Sequence, residues 1–194
     1  MNTKTKQLAT ASLIAALVCV ATMVIKIPSP LKGYINLGDC VVLLAGWVLS
    51  PAYAFLAAGI GSALADLFSG YLVYAPATFI IKGLMALIAL YGFKLLNKKF
   101  GNIVCRISSG ILAEIVMVLG YYVFEGFMYG FGPSAVNIPA NSIQGIAGII
   151  IGVALIKILE KSKISLTNVS YINFAPSLKP DIKLSALLVV ENSI

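Results

Sequence analysis

Glu114, Tyr121 and Glu125 follow one another at intervals of seven and four residues in an otherwise apolar stretch, which puts them on one face of a helix. Asn141, Gln144, Gly145 and Gly148 form a second stripe of the same kind. Lys82 stands alone in another apolar stretch, and Asp39 and Asp66 sit at the ends of two more. Carboxylates, amides, phenols and one ammonium group suit the capture of a small polar solute. The chain has no histidine, so the commonest general base and metal ligand is missing. Cys19, Cys40 and Cys105 are isolated and fit neither a metal cluster nor a disulfide framework. There is no phosphate-binding glycine loop, no Gly-x-Ser-x-Gly, no His-Glu-x-x-His and no Cys-x-x-Cys. Asp39 and Asp66 lie at segment ends rather than mid-membrane, which counts against an intramembrane protease dyad. The set reads as binding residues without a catalytic centre or a cofactor.

The elements that carry these residues are membrane spans. Of 194 residues, 60% are hydrophobic and 11% charged, against about 45–50% and about 25% in a soluble domain. Mean hydropathy is +0.98. Spans of roughly 20 residues allow about six, with no room for a separate nucleotide-binding domain. Ser50-Pro51 interrupts a long apolar run, and Pro starts a helix better than it continues one. A break there gives spans at about 8–27, 39–49, 52–68, 76–96, 107–128 and 139–160. With the N-terminus inside, Lys94, Lys98, Lys99, Arg106, Lys157, Lys161 and Lys163 then share the cytoplasmic side. Without the break both large basic clusters fall outside, so the positive-inside rule selects six spans with both termini inside. The expectation is an all-α integral membrane bundle over residues 1–161 and a weakly ordered cytoplasmic tail over 162–194. The second span is short and must be tilted, shielded by its neighbours or begun in the preceding loop.

On this topology the polar groups share one depth. At 1.5 Å per residue, Lys82 lies about 9 Å, Tyr121 about 10 Å and Glu125 about 5 Å below the outer ends of their spans. Asn141 and Gln144 lie within roughly 8 Å of theirs, and Asp39 and Asp66 are at outer ends. Charged groups in a bilayer ask for partners, and Lys82 can answer a carboxylate or snorkel to the interface. Tyr34, Asn36, Tyr71 and Tyr74 sit in loops able to close over such a site. Glu114 is deepest, and either pairs internally or lines the floor. Small residues recur at helix-packing spacing, among them Ala11 and Ala15 in span one; such stripes serve internal packing or a partner protein.

Several runs resemble the S components of energy-coupling factor (ECF) transporters: Gly-Tyr-Ile-Asn-Leu-Gly-Asp at 33–39, Ala-Asp-Leu-Phe-Ser-Gly-Tyr at 65–71, and Tyr-Ala-Pro-Ala-Thr-Phe-Ile-Ile-Lys-Gly at 74–83. Ala-Glu-Ile-Val-Met-Val-Leu-Gly-Tyr at 113–121 and Asn-x-x-Gln-Gly at 141–145 are similar too. The resemblance covers about residues 5–160. It implies a six-helix subunit of the bacterial plasma membrane that binds a vitamin or precursor near the outer face. It also implies partners, namely a transmembrane coupling subunit and two cytoplasmic ATPases. The family's Ala-x-x-x-Ala stripe assigns Ala11 and Ala15 to the coupling subunit. Ligand contacts are then expected at Asn36, Asp39, Asp66, Tyr74, Lys82, Tyr121, Glu125, Asn141 and Gln144, a mixture suited to a pyrimidine or pyridine ring. The competing classes are a self-standing ion-coupled transporter using Glu114 and Glu125, and a membrane assembly protein without a ligand.

Overall fold

A computed structural model of the chain describes residues 3–29, 34–97 and 100–161. Lys32, Lys98, Lys99 and the expected tail at 162–194 lie outside the described residues. The elements are α1 (Thr3–Val24), strands β1 (Lys26–Pro28) and β2 (Tyr34–Asn36), then α2 (Gly38–Val48), α3 (Pro51–Phe68), α4 (Ala75–Leu96) and α5 (Asn102–Tyr129). A four-residue α6 (Phe131–Ser134) and a 3₁₀ turn (Ala135–Asn137) lead into α7 (Ile138–Lys161).

Five segments are long and apolar enough to cross a membrane: α1, α3, α4, α5 and the stretch from α6 through α7. α2 has only 11 residues, and all of them are buried. It packs against α1, α3, α4 and α7, so neighbours shield it. Its 11 residues rise only about 16 Å, half of a bilayer core. The expected break is present: Leu49 and Ser50 are extended, with ψ of 163° and 160°, and Pro51 opens α3. Pro51 has no N–H to leave unsatisfied at that first turn.

The first connection departs from the expected loop. Residues 25–27, assigned to span one, leave the helix, because Pro28 disfavours helical backbone in the residue before it. Lys26–Pro28 instead pairs antiparallel with Tyr34–Asn36, in the register Lys26↔Asn36 and Pro28↔Tyr34. Strands of three residues carry too little alternation to be read from sequence. The hairpin ends at Asn36, whose Oδ1 accepts the Gly38 N–H at 2.8 Å and starts α2.

Close helix approach is built on small residues. A methyl group on Gly61 of α3 would lie 2.4 Å from the Ala15 carbonyl oxygen and 2.8 Å from Val18 Cβ of α1. Ala11 is buried, and Ala15 is half-buried against the core. The Ala15 backbone thus meets α3 within the chain. The exposed face of α1 carries Ala9, Ser12, Leu13, Ala16, Leu17 and Val20. Four-residue spacing of small residues reports a close contact, not whose helix makes it. Gly61→Leu must push backbone from backbone, so we expect loss of about 3 kcal/mol or more and little folded protein in a detergent thermal-unfolding assay. Gly132→Ala, where nothing lies within 4 Å of the added methyl, is the control.

At the end away from the hairpin, Arg106 is buried. Its guanidinium donates to both Glu160 oxygens, at 2.6 and 3.1 Å, and lies 5.4 Å from the Phe93 ring centre. Arg106 thus ties α5 to α7 and α4.

Candidate functional site

At the hairpin end the helices and their connections border a small, partly open cavity of about 30 Å³, room for roughly two or three waters. Several elements bring the wall together. β2 supplies Tyr34 and Asn36, and the end of α3 supplies Asp66. The turn into α4 and its first residues give Tyr71, Tyr74 and Thr78, while α5 and α7 give Tyr121, Glu125, Asn141 and Gln144. Ser29, just after β1, completes it.

The turn after α3 is set by Asp66, whose carbonyl accepts the Tyr71 N–H at 2.8 Å. That places three phenols in series. The Tyr34 and Tyr71 ring centres are 4.8 Å apart, Tyr71 and Tyr74 6.3 Å, and Tyr74 meets Phe124 at 5.3 Å. Tyr34 donates its hydroxyl to Asp66 Oδ1 at 2.6 Å. Burial, reinforced by the Asp66 carboxylate, pushes the Tyr34 phenol well up, so it stays a donor. Asp66 Oδ2 is buried and closes no hydrogen bond among the described residues, although the Thr78 hydroxyl lies near enough to act on the carboxylate.

Glu125 forms the opposite pole. It accepts from Asn137 Nδ2 at 2.9 Å on both oxygens, and from the Tyr74 hydroxyl at 3.4 Å. Burial pushes the Tyr74 phenol up as well. Tyr121 and Thr78 share a hydrogen bond of 3.0 Å between hydroxyls. Two carboxylates line the cavity, and among the described residues no lysine or arginine does.

Lys82 and Asp39 are the two expected contacts that do not line it. They form an ion pair behind the cavity, Lys82 being 2% and Asp39 0% exposed. Lys82 is therefore not snorkelling, and it lies outside the cavity lining. Its ammonium lies 5.5 Å from the Tyr121 ring centre, with that ring belonging to the cavity wall. Asp39 Oδ2 accepts from Gln144 Nε2 at 2.7 Å, and Gln144 Oε1 accepts the Asn36 N–H at 2.8 Å. This relay joins the ion pair to the floor and locks β2 onto α7.

A family model for the ECF-type riboflavin transporter S component matches residues 2–161. The chain belongs to this family of S components. The S component is 37% identical over 145 residues to an uncharacterised protein from the gap 3′ region of Pyrococcus woesei, covering 74% of this chain and 95% of that one. It is 27% identical over 139 residues to the thiamine precursor transporter HmpT of Lactococcus lactis subsp. cremoris (strain MG1363), covering 71% and 76%. Among solved structures it resembles the S component of a bacterial ECF transporter (TM-score 0.63, 24% identity, 81% of this chain and 97% of that one). It also resembles the S component for biotin from an ECF-type ABC transporter (TM-score 0.56, 19% identity, 81% and 92%). The last two show a shared fold. As a member of this family the chain is a membrane transport protein and not an enzyme.

Asn36, Asp66, Tyr74, Tyr121, Glu125, Asn141 and Gln144 meet at the cavity of the S component, as do Tyr34 and Tyr71. Sequence reasoning missed Ser29, Thr78 and Asn137. Thr78 precedes Lys82 by four residues and shares its face, a signal that was available. Asn137 reaches Glu125 only because the turn after α6 folds back, and no periodicity announces that.

Proposed function

We propose that this S component captures a small vitamin or vitamin precursor at the outer face of the plasma membrane, in the cavity between Asp66 and Glu125. The chain then forms one bundle over 1–161 with α2 as a short sixth crossing and both termini in the cytoplasm. A coupling subunit and two ATPases deliver the solute inward, since the chain has no nucleotide-binding motif of its own. The observation that carries the reading is a phenol-lined cavity whose wall holds two buried carboxylates, Asp66 and Glu125.

That lining favours a ligand rich in N–H donors. Lys82 is consumed by Asp39, so among the described residues no lysine or arginine of the lining is there to meet an anionic ligand. An amino-substituted pyrimidine ring supplies donors to Asp66 and Glu125 and a π-face to Tyr34, Tyr71 and Tyr74. Tyr34, Tyr71 and Tyr74, carried on β2 and the turn into α4, border the space a ring would enter.

Calorimetric titration of the purified protein with a hydroxymethyl aminopyrimidine and with riboflavin tests the substrate class. We expect submicromolar binding of the aminopyrimidine and at least tenfold weaker binding of riboflavin. The reverse order assigns the cavity to the larger ring, and binding of neither contradicts capture of such rings. A companion test concerns the partners. Ala16→Trp on the exposed face of α1 should leave ligand binding intact and abolish co-purification with the coupling subunit. Full recovery of the complex would remove α1 from that interface.

A further inference from the structure

Glu114 does not line the cavity. It sits in the middle of α5, 5% exposed, and both of its carboxyl oxygens lack a hydrogen-bond donor among the described residues. An ionised carboxylate buried without donors or a cation is strongly unfavourable. The groups that face it are few. α7 presents the bare backbone of Gly145 and Gly148: methyl groups placed there would lie 3.0 Å from Glu114 Oε2 and 3.0 Å from Oε1. The same methyl on Gly148 would lie 2.9 Å from Asp39 Cβ, so Glu114 and Asp39 meet over one glycine. α2 presents Asp39 and Cys40, whose thiol donates to the Leu37 carbonyl. α4 presents Lys82, paired with Asp39 Oδ1. Two carboxyl groups therefore adjoin a single ammonium group.

We propose that Glu114 is held as the neutral acid and donates its proton to Asp39, acting as a positioning residue for the floor of the cavity. Asp39 then receives Lys82, Gln144 and Glu114 together, and the cluster carries no net charge. A neutral Glu114 leaves Lys82 wholly to Asp39. It thereby keeps the Gln144 carboxamide oriented, Nε2 to Asp39 and Oε1 to the Asn36 N–H. The link to solute capture rests on the reading of the cavity above, whereas the protonation state does not. Gly145 and Gly148 acquire a reason on this basis: any side chain there would displace the acid from Asp39.

Infrared spectroscopy of the purified, ligand-free protein reads the proton directly. We expect a protonated-carboxyl carbonyl band that disappears in Glu114→Gln and shifts in Glu114→Asp. Absence of the band in the wild-type chain, or its persistence unchanged in both variants, overturns the proposal even if the cavity binds ligand. Thermal unfolding gives a second reading. Glu114→Gln keeps a donor to Asp39 and should hold the Tm within about 2 °C, while Glu114→Leu should lower it by about 4 °C or more. If both substitutions raise the Tm, Glu114 is an ionised, repelled carboxylate and the proposal fails. A failure of ligand titration with the band intact would instead fault the cavity and spare the proton.

Discussion

Lys82→Met is expected to lower the Tm of the purified protein by about 10 °C and to abolish ligand binding. The substitution preserves the approximate length of the side chain and removes its charge. Asp39 is 0% exposed, and in the wild-type chain it is neutralised by Lys82. Removing one partner of a buried ion pair leaves the other uncompensated, which costs about 3–5 kcal/mol, and in a chain of this size each kcal/mol moves the Tm by about 2–4 °C. Binding follows because Asp39 anchors Gln144, and Gln144 anchors the backbone of Asn36 in the wall. The paired change Asp39→Asn with Lys82→Met removes both charges and keeps an acceptor for Gln144. Most of the lost Tm should return, because a neutral pair can replace a buried ionic one at little net cost. A double variant no more stable than Lys82→Met alone would show that the two charges do not answer each other.

The second large effect falls on the cavity itself. Asp66→Asn and Glu125→Gln should each weaken ligand binding by about tenfold or more, and together by at least a hundredfold, since a hydrogen bond to a charged group contributes about 1.5–3 kcal/mol. Stability should change little. The carboxamide oxygen introduced at position 66 still accepts from Tyr34, and the one introduced at position 125 still accepts from Asn137. Equilibrium titration on variants with wild-type Tm separates the two quantities. Retention of full affinity in the double variant would remove both carboxylates from recognition. A loss confined to Glu125→Gln would place the ligand at the α5 side alone.

Much of this site was legible in the sequence. Depth along each span and the 3.6-residue period together select Tyr121, Glu125, Asn141 and Gln144, because polar groups in a bilayer are tolerated only where they face the bundle interior. What the pattern cannot show is which polar groups satisfy one another. Asp39 and Lys82 satisfy the same depth rule as Glu125, yet they neutralise each other behind the wall. That distinction depends on a few ångströms between α2 and α4. The hairpin was hidden for a different reason: a pair of three-residue strands is specified by Pro28 and by the closure of Asn36 onto Gly38 rather than by alternation. Ala15 takes part in a close helix contact that only the placement of Gly61 makes visible. In α2 the hydrophobicity was plain, but its short length acquired a physical reason only once every residue of it proved buried.

The cavity between Asp66 and Glu125 is expected to capture a small ring-bearing solute from outside the cell. Mass spectrometry of the ligand released from protein purified directly from producing cells tests it, with the Asp66→Asn/Glu125→Gln variant purified in parallel. We expect one low-molecular-mass ring compound, near one equivalent per chain, from the wild-type protein and at least tenfold less from the folded variant. Equal amounts of the same compound from both proteins, or no small molecule from either, would contradict it.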